Sequence, residues 1–217
     1  MAYWGYFEFV TDFLSRIENP QVVEVGVDKG QFFVPLLAWL KANKKSFSLL
    51  AIDVWKQDST KIQIELVSRD LNDEQHVHFF EKSSLDVLPD LLMMKNHNKI
   101  HVMLLDGDHN YYTVKRELDC IKDLMNNMGI VVIDDYGGEG GKKDEFFAEH
   151  PQYANNNMPV KREEAAKEAI EYKGVKGAVD EFLKNNKEWT ITDQVVPGFE
   201  PVVMYKKEHI KLIQGEK

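Results

Sequence analysis

Residues 21–30, Gln-Val-Val-Glu-Val-Gly-Val-Asp-Lys-Gly, constrain this chain more than any other stretch. Val22 and Val23 lead into Glu24, Gly26 and Gly30 follow, and an amphipathic run lies directly behind. The pattern predicts a short buried strand, a tight turn and a helix N-terminus. Gly26 lets the backbone turn and approach a ligand closely, and Gly30 lets the helix sit near the strand. N–H groups exposed at that turn favour a carboxylate or phosphate, while Glu24 can accept from an ammonium or hydroxyl. The spacing is Glu-x-Gly-x-x-x-Gly and not the Gly-x-Gly-x-x-Gly of dinucleotide binders, so a nicotinamide-dependent oxidoreductase fits poorly. An ordinary glycine-bearing strand–helix turn is the competing reading.

The remaining chain repeats this alternation. Residues 3–17 read as an aromatic-rich amphipathic helix with Phe9, Phe13 and Ile17 at helical spacing. Its aromatic face suits the core; the sharper alternative has Trp4 and Tyr6 walling a substrate pocket. A helix face follows at Phe32, Phe33, Leu36, Leu37 and Leu40, with Pro35 tolerated early in it. Strands are expected at 47–52, 77–80, 100–105 and 130–133, with helices starting near Asp58 and over 85–94 and 110–125. Residues 137–172 begin glycine-rich and continue polar with weak periodicity, too long for a routine connection, which predicts a lid or insertion. A helix over 175–183 and two strands, 189–195 and 201–205, joined by a turn at Pro197-Gly198, complete a single domain spanning 1–217. Such alternation argues for βαβ units around a parallel sheet.

Composition narrows the function. A net charge of −9 over 217 residues gives no electrostatic footprint for a nucleic-acid backbone. The single cysteine, Cys120, excludes an intrachain disulfide, and no apolar run is long enough to span a bilayer. With no basic-then-apolar leader, a cytoplasmic location is expected. A small-molecule substrate is the expected partner, and homo-oligomerisation stays open.

In an open α/β sheet, ligands bind beyond the carboxyl ends of the strands. Those ends here carry Glu24, Asp53, Ser83 and Ser84, Asp106 and His109, and Asp134 and Asp135. Polar strand ends meeting water explain single acids, but explain two tandem carboxylates after an apolar strand less well. Asp53 can accept both ribose hydroxyls of an adenosine cofactor. Trp55 can cover the adenine or pack beneath the next helix. Ser83 can bond the adenine amino edge, and Ser84 can cap a helix. Asp106, Asp134 and Asp135 can converge on one hard cation such as Mg²⁺, because neighbouring strand ends lie about 5 Å apart. The competing reading has Asp135 capping the next segment with no metal. His109, three residues after Asp106, suits a general base or a cofactor contact; otherwise it is a helix-start histidine bonded to backbone. His76 and His78 share a strand face, but two ligands do not make a zinc site.

With these residues in view, the chain resembles class I S-adenosylmethionine (SAM) methyltransferases over most of its length outside the insertion. The closest likeness is to the cephalosporin hydroxylase/macrocin O-methyltransferase-like group, the type 24 methyltransferase family. The matching stretches are Val23-Glu24-Val25-Gly26, Ala51-Ile52-Asp53-Val54-Trp55, Leu105-Asp106-Gly107-Asp108-His109-Asn110-Tyr111 and Val132-Ile133-Asp134-Asp135-Tyr136. The resemblance implies a Rossmann-like α/β fold: a seven-stranded, mostly parallel sheet with helices on both faces and an antiparallel last strand. It implies a methyl donor over the first strand ends, against Glu24, Gly26, Val27, Asp28, Gly30, Asp53, Val54, Trp55, Ser83, Ser84, Asp106 and His109. Related metal-dependent catechol-type enzymes hold Mg²⁺ with an Asp and an Asp-Asn pair; here those positions are Asp106 and Asp134-Asp135. Their catalytic lysine corresponds to His109. Lys82-Ser83-Ser84 stands where the family more often has Gly-Asp-Ser.

The expected activity is therefore SAM-dependent and metal-assisted O-methylation of a small hydroxylated molecule, sugar-like or natural-product-like. His109 and Asp106 are the expected catalytic residues. Two alternatives remain at this level: a metal-independent small-molecule methyltransferase, and a SAM-binding protein without catalysis.

Overall fold

The computed structural model describes residues 3–54, 58–94, 99–150, 165, 173–192 and 201–209. Helices α1 (Tyr3–Ser15), α2 (Phe33–Asn43), α3 (Asp58–Ser68), α4 (Ser84–Met93), α5 (Tyr111–Leu124) and α6 (Gly174–Asn185) surround one sheet. Its strands are β1 (Gln21–Val25), β2 (Phe47–Ile52), β3 (Gln75–Phe80), β4 (Ile100–Leu105), β5 (Met125–Ile133), β6 (Trp189–Thr192) and β7 (Val202–Lys206). The spatial order is β3-β2-β1-β4-β5-β7-β6. The first five strands pair in parallel, and β7 runs antiparallel to both β5 and β6. This is the expected fold, with its strand order reversing between β1 and β4, the place where such sheets open a ligand crevice.

Side-chain alternation along the strands divides the core into two layers. Val23, Val25, Met103, Leu105, Val131 and Ile133 pack with α4, α5 and α6. Val22, Leu49, Val102, Leu104 and Val132 pack on the opposite face with α1 and α2. Glu24 lies between Val23 and Val25, so it shares the α1 face and is 4% exposed. Its neighbours on that face include Phe32, Leu104 and Tyr6, which line a small cavity with it.

Several boundaries differ from the sequence expectation. β5 begins at Met125, immediately after α5, and not at residue 130, because Ile100 pairs with Met125 before the register shifts. The polar Asn126 and Asn127 and the glycine at 129 conceal that irregular start in the sequence. β3 begins at Gln75, whose side chain donates to the Lys44 carbonyl at 2.8 Å. Of the expected insertion, residues 137–150 and 165 are described; the turn at Pro197-Gly198 and Trp55 lie outside the described residues.

Candidate active site

The backbone places the acids. Each of Asp53, Asp106 and Asp134 is the first residue beyond its strand, and each N–H donates to the last carbonyl of a neighbouring strand. The pairs are Asp53 to Phe80 (3.1 Å), Asp106 to Val25 (2.9 Å) and Asp134 to Leu105 (3.0 Å). One extra rung of ladder thus fixes the backbone beneath every carboxylate. Of the residues expected from the sequence that are described, all but Gly30 and Asp135 line one cavity of about 330 Å³.

Gly26 adopts φ 83°, and a Cβ there would meet the Asp106 carbonyl oxygen at 1.9 Å. The close approach that requires glycine is therefore to the β4 strand end. Beyond it, the N–H groups of Val27 and Asp28 donate to Asp53 Oδ2 at 2.7 and 2.9 Å. Expected to face a ligand, these amides instead bind the acid at the end of β2. Thr60 Oγ1 donates to the Asp28 carbonyl at 2.9 Å, tying the turn to α3 as well. Gly30 packs against the side chains of Val34 and Thr60 and serves the turn from behind.

At the β3 end the capping role expected of Ser84 falls to Ser83. Ser83 is the N-cap of α4, accepting from Leu85 N at 3.1 Å, whereas Ser84 Oγ donates to Glu117 Oε1 at 2.6 Å. Glu117 is buried on α5, and burial pushes its carboxyl up to about 7 despite the Ser84 bond. Sequence reasoning missed it, although a lone acid among Val114, Leu118 and Ile121 on one helical face marks it.

The acidic end of the cavity centres on His109, whose side chain is 14% exposed. Its Nδ1 lies 2.6 Å from Asp135 Oδ2 and its Nε2 lies 3.2 Å from Asp106 Oδ1. Ligand atoms of Asp106, His109 and Asp134 all fall within 4.8 Å of one another. The grouping thus differs from the expected three aspartates. Asp135 adopts φ 51°, and its carboxylate engages the far side of the imidazole. Burial and the neighbouring Asp106 push the Asp134 carboxyl well above the carboxylate range. Glu24 is raised the same way, by burial and then by Asp106 and Asp53. Burial lowers His109, but Asp106 and Asp135 outweigh it and raise the imidazole to about 10. Such mutually opposed acids fit a bound cation.

A further acid of the Asp-Gly-Asp-His run joins this loop to the segment after β5. Asp108 Oδ1 accepts from Phe147 N at 3.1 Å, and its Oδ2 accepts from Asn110 Nδ2 at 2.6 Å and Thr113 Oγ1 at 3.2 Å. Asp144 Oδ1 accepts from Tyr111 N at 2.6 Å, and the Phe147 ring lies 5.3 Å from that of His109. The start of the expected insertion therefore covers the histidine. The motif carried Asp108 in plain view, but only the fold reveals what it holds.

Comparison with known proteins agrees with this geometry. A model of a methyltransferase domain, type 24, matches residues 23–136. No curated protein matches the chain. Among solved structures, CalS11, a TDP-rhamnose 3′-O-methyltransferase of calicheamicin biosynthesis, is similar at TM-score 0.60 and 13% identity, covering 93% of this chain and 77% of its own. MycE, a mycinamycin-pathway methyltransferase in complex with Mg, SAH and mycinamycin VI, is similar at TM-score 0.52 and 13% identity. This chain spans about half of MycE, 48% of its length. At that identity both likenesses concern the fold. The family match covers more than half of the chain, and it meets an α/β sheet whose carboxyl edge carries the matched residues. The chain belongs to the type 24 methyltransferase domain family of SAM-dependent enzymes.

Proposed function

We propose that this enzyme methylates a hydroxyl oxygen of a small molecule, assisted by a divalent cation. The observation that carries the reading is the convergence of Asp106, His109 and Asp134 at one end of the cavity whose other end is built by Glu24 and Asp53. CalS11 acts on a sugar hydroxyl and MycE was captured with Mg, which supports the same choice here. The methyl donor supplies an electrophilic methyl group on a positively charged sulfur, and the cation supplies charge that makes a nearby hydroxyl more acidic.

The chain's own residues do the rest. Asp106 and Asp134 hold the cation, oxygen ligands being what a hard ion prefers. Asp135 accepts from His109 Nδ1–H, which fixes the tautomer and turns Nε2 towards the acids, where it takes the hydroxyl proton. With Asp106 engaged by a cation, Asp135 is left as the carboxylate that holds the imidazole. Asp53 steadies the Val27–Asp28 turn, and its carboxylate would accept from a ribose hydroxyl. Phe147, whose N–H is held by Asp108, lies against the histidine ring, and collinear placement of oxygen, methyl and sulfur supplies much of the rate.

One observation favours a second role for the histidine. A ring nitrogen lies within 4.8 Å of ligand oxygens of both acids, close enough to be a third ligand, with Asp135 as the orienting carboxylate. Transfer of labelled methyl from SAM to a panel of glycosides and nucleotide sugars, with and without chelator, tests the main proposal. Turnover abolished by chelator and restored by Mg²⁺ is expected; undiminished turnover removes the cation from the reaction. Titration of His109→Ala with Mn²⁺ separates the roles: unchanged Mn²⁺ affinity with lost turnover marks a base, and weakened affinity marks a ligand.

A further inference from the structure

Beside the main cavity, on the α1 face of the sheet, lies a second one of about 80 Å³. It is lined by apolar Phe32, Leu104, Val132 and Pro201, and by Tyr6, Glu24, Asp106 and Asp134. Two side-chain oxygens there are buried with no hydrogen-bond partner among the described residues: Tyr6 Oη and Glu24 Oε2. Tyr6 is 6% exposed and Glu24 4%, so water outside the protein does not satisfy them. Buried polar atoms without partners are rare and costly, and two lining one cavity mark a place meant to be filled.

The chemistry of the walls selects what fills it. A carboxylate or phosphate would meet Glu24, Asp106 and Asp134, all acids. An alkyl group would leave both oxygens unpaired. An ammonium offers donors only, so the tyrosine proton would stay unmatched. A neutral hydroxyl accepts from Tyr6 Oη–H and donates to Glu24 Oε2 at the same time. Because Asp106 and Asp134 line both cavities, a hydroxyl held here lies next to the one being methylated.

We propose that the cavity beneath α1 is an acceptor subsite in which Tyr6 and Glu24 grip a second, unreacting hydroxyl of the substrate, which is therefore a diol or polyol. This rests on the O-methylation reading above and narrows its substrate class. Tyr6 then acts as a specificity determinant contributed by the first helix.

The test uses ethylene glycol, the smallest vicinal diol, as probe. Crystals of the full chain with the demethylated cofactor are soaked in it at molar concentration, as wild type and as Tyr6→Phe, and binding in solution is followed by NMR titration. One glycol hydroxyl bonded to both Tyr6 Oη and Glu24 Oε2 is expected. Tyr6→Phe should weaken glycol binding by about tenfold, the usual loss for one hydrogen bond, with melting temperature and cofactor affinity unchanged. A cavity that keeps water in place of glycol, a Tyr6 hydroxyl donating to a protein carboxylate instead, or equal binding by Tyr6→Phe overturns the proposal. Should Tyr6→Phe not fold, the wild-type soak alone decides. Failure of the cofactor to bind would count against the reading of the main cavity, whereas glycol occupancy judges the subsite alone.

Discussion

Asp135 Oδ2 and His109 Nδ1 lie 2.6 Å apart, bridging the end of β5 to the loop after β4. The contact depends on the left-handed backbone of Asp135, φ 51°, which swings its side chain away from Asp134 and back to the imidazole. An aspartate in that conformation is uncommon, and its cost is accepted where geometry is needed for function.

Asp135→Asn keeps the shape but removes the charge that orients the imidazole. Turnover should fall about 10- to 100-fold, with cofactor affinity unchanged. His109→Ala should fall further, about 10²- to 10⁴-fold, as expected for loss of a proton acceptor. Steady-state kinetics beside calorimetry of cofactor binding checks both; equal activity in Asp135→Asn and wild type would deny the pairing a role.

The same pairing sets a pH dependence. His109 in the cation-free protein is raised to about 10, so its folded value exceeds its unfolded one, about 6.5. That stabilisation is complete below about pH 6.5 and is lost as pH rises through about 10. Asp134 and Glu24, also raised, likewise favour the folded state less as pH climbs above the ordinary carboxylate range. Urea midpoints without divalent ions should therefore decline from pH 6 to 10, and Mn²⁺ should shrink the decline while releasing protons. Midpoints that rise over this window would contradict the assignment.

Gly26→Ala should destabilise the fold by about 3 kcal/mol or more, combining a positive φ with a backbone collision that no side chain can relieve. Gly30→Ala should cost less, because the atoms nearest its added Cβ, at 2.9 and 3.0 Å, belong to side chains of Val34 and Thr60. Denaturant melts of the two variants give the comparison.

Asp53→Ala strips the acceptor from two backbone amides. Stability should drop by about 2 kcal/mol, the scale of losing hydrogen bonds to a charged group, and cofactor affinity should fall with it. Asp53→Asn, which retains an acceptor, should recover part of the stability. Loss of cofactor affinity without any loss of stability would mean the turn does not depend on this acid.

The strand ends were legible because each carboxylate follows an uninterrupted apolar run, as in Ile130 to Ile133 before Asp134. What such runs cannot convey is backbone handedness. Asp134 and Asp135 both read as candidate ligands, and the φ of Asp135 sets it apart from its neighbour. The serine pair failed similarly, since one residue of register decides which hydroxyl caps α4 and which reaches Glu117. Asp53 lines the cavity, but its bonds to Val27 and Asp28 arise from a turn of two residues that leaves no periodic signal. Tyr6 read as core ahead of pocket wall, because an aromatic helix face is usually core and looks the same whether or not a cavity adjoins it.

Anomalous diffraction from crystals grown with Mn²⁺ and the demethylated cofactor tests the central claim most directly. The account predicts one manganese peak within bonding distance of both Asp106 and Asp134, beside cofactor lying against Glu24 and Asp53. Cofactor bound there with no manganese between those two aspartates would contradict it.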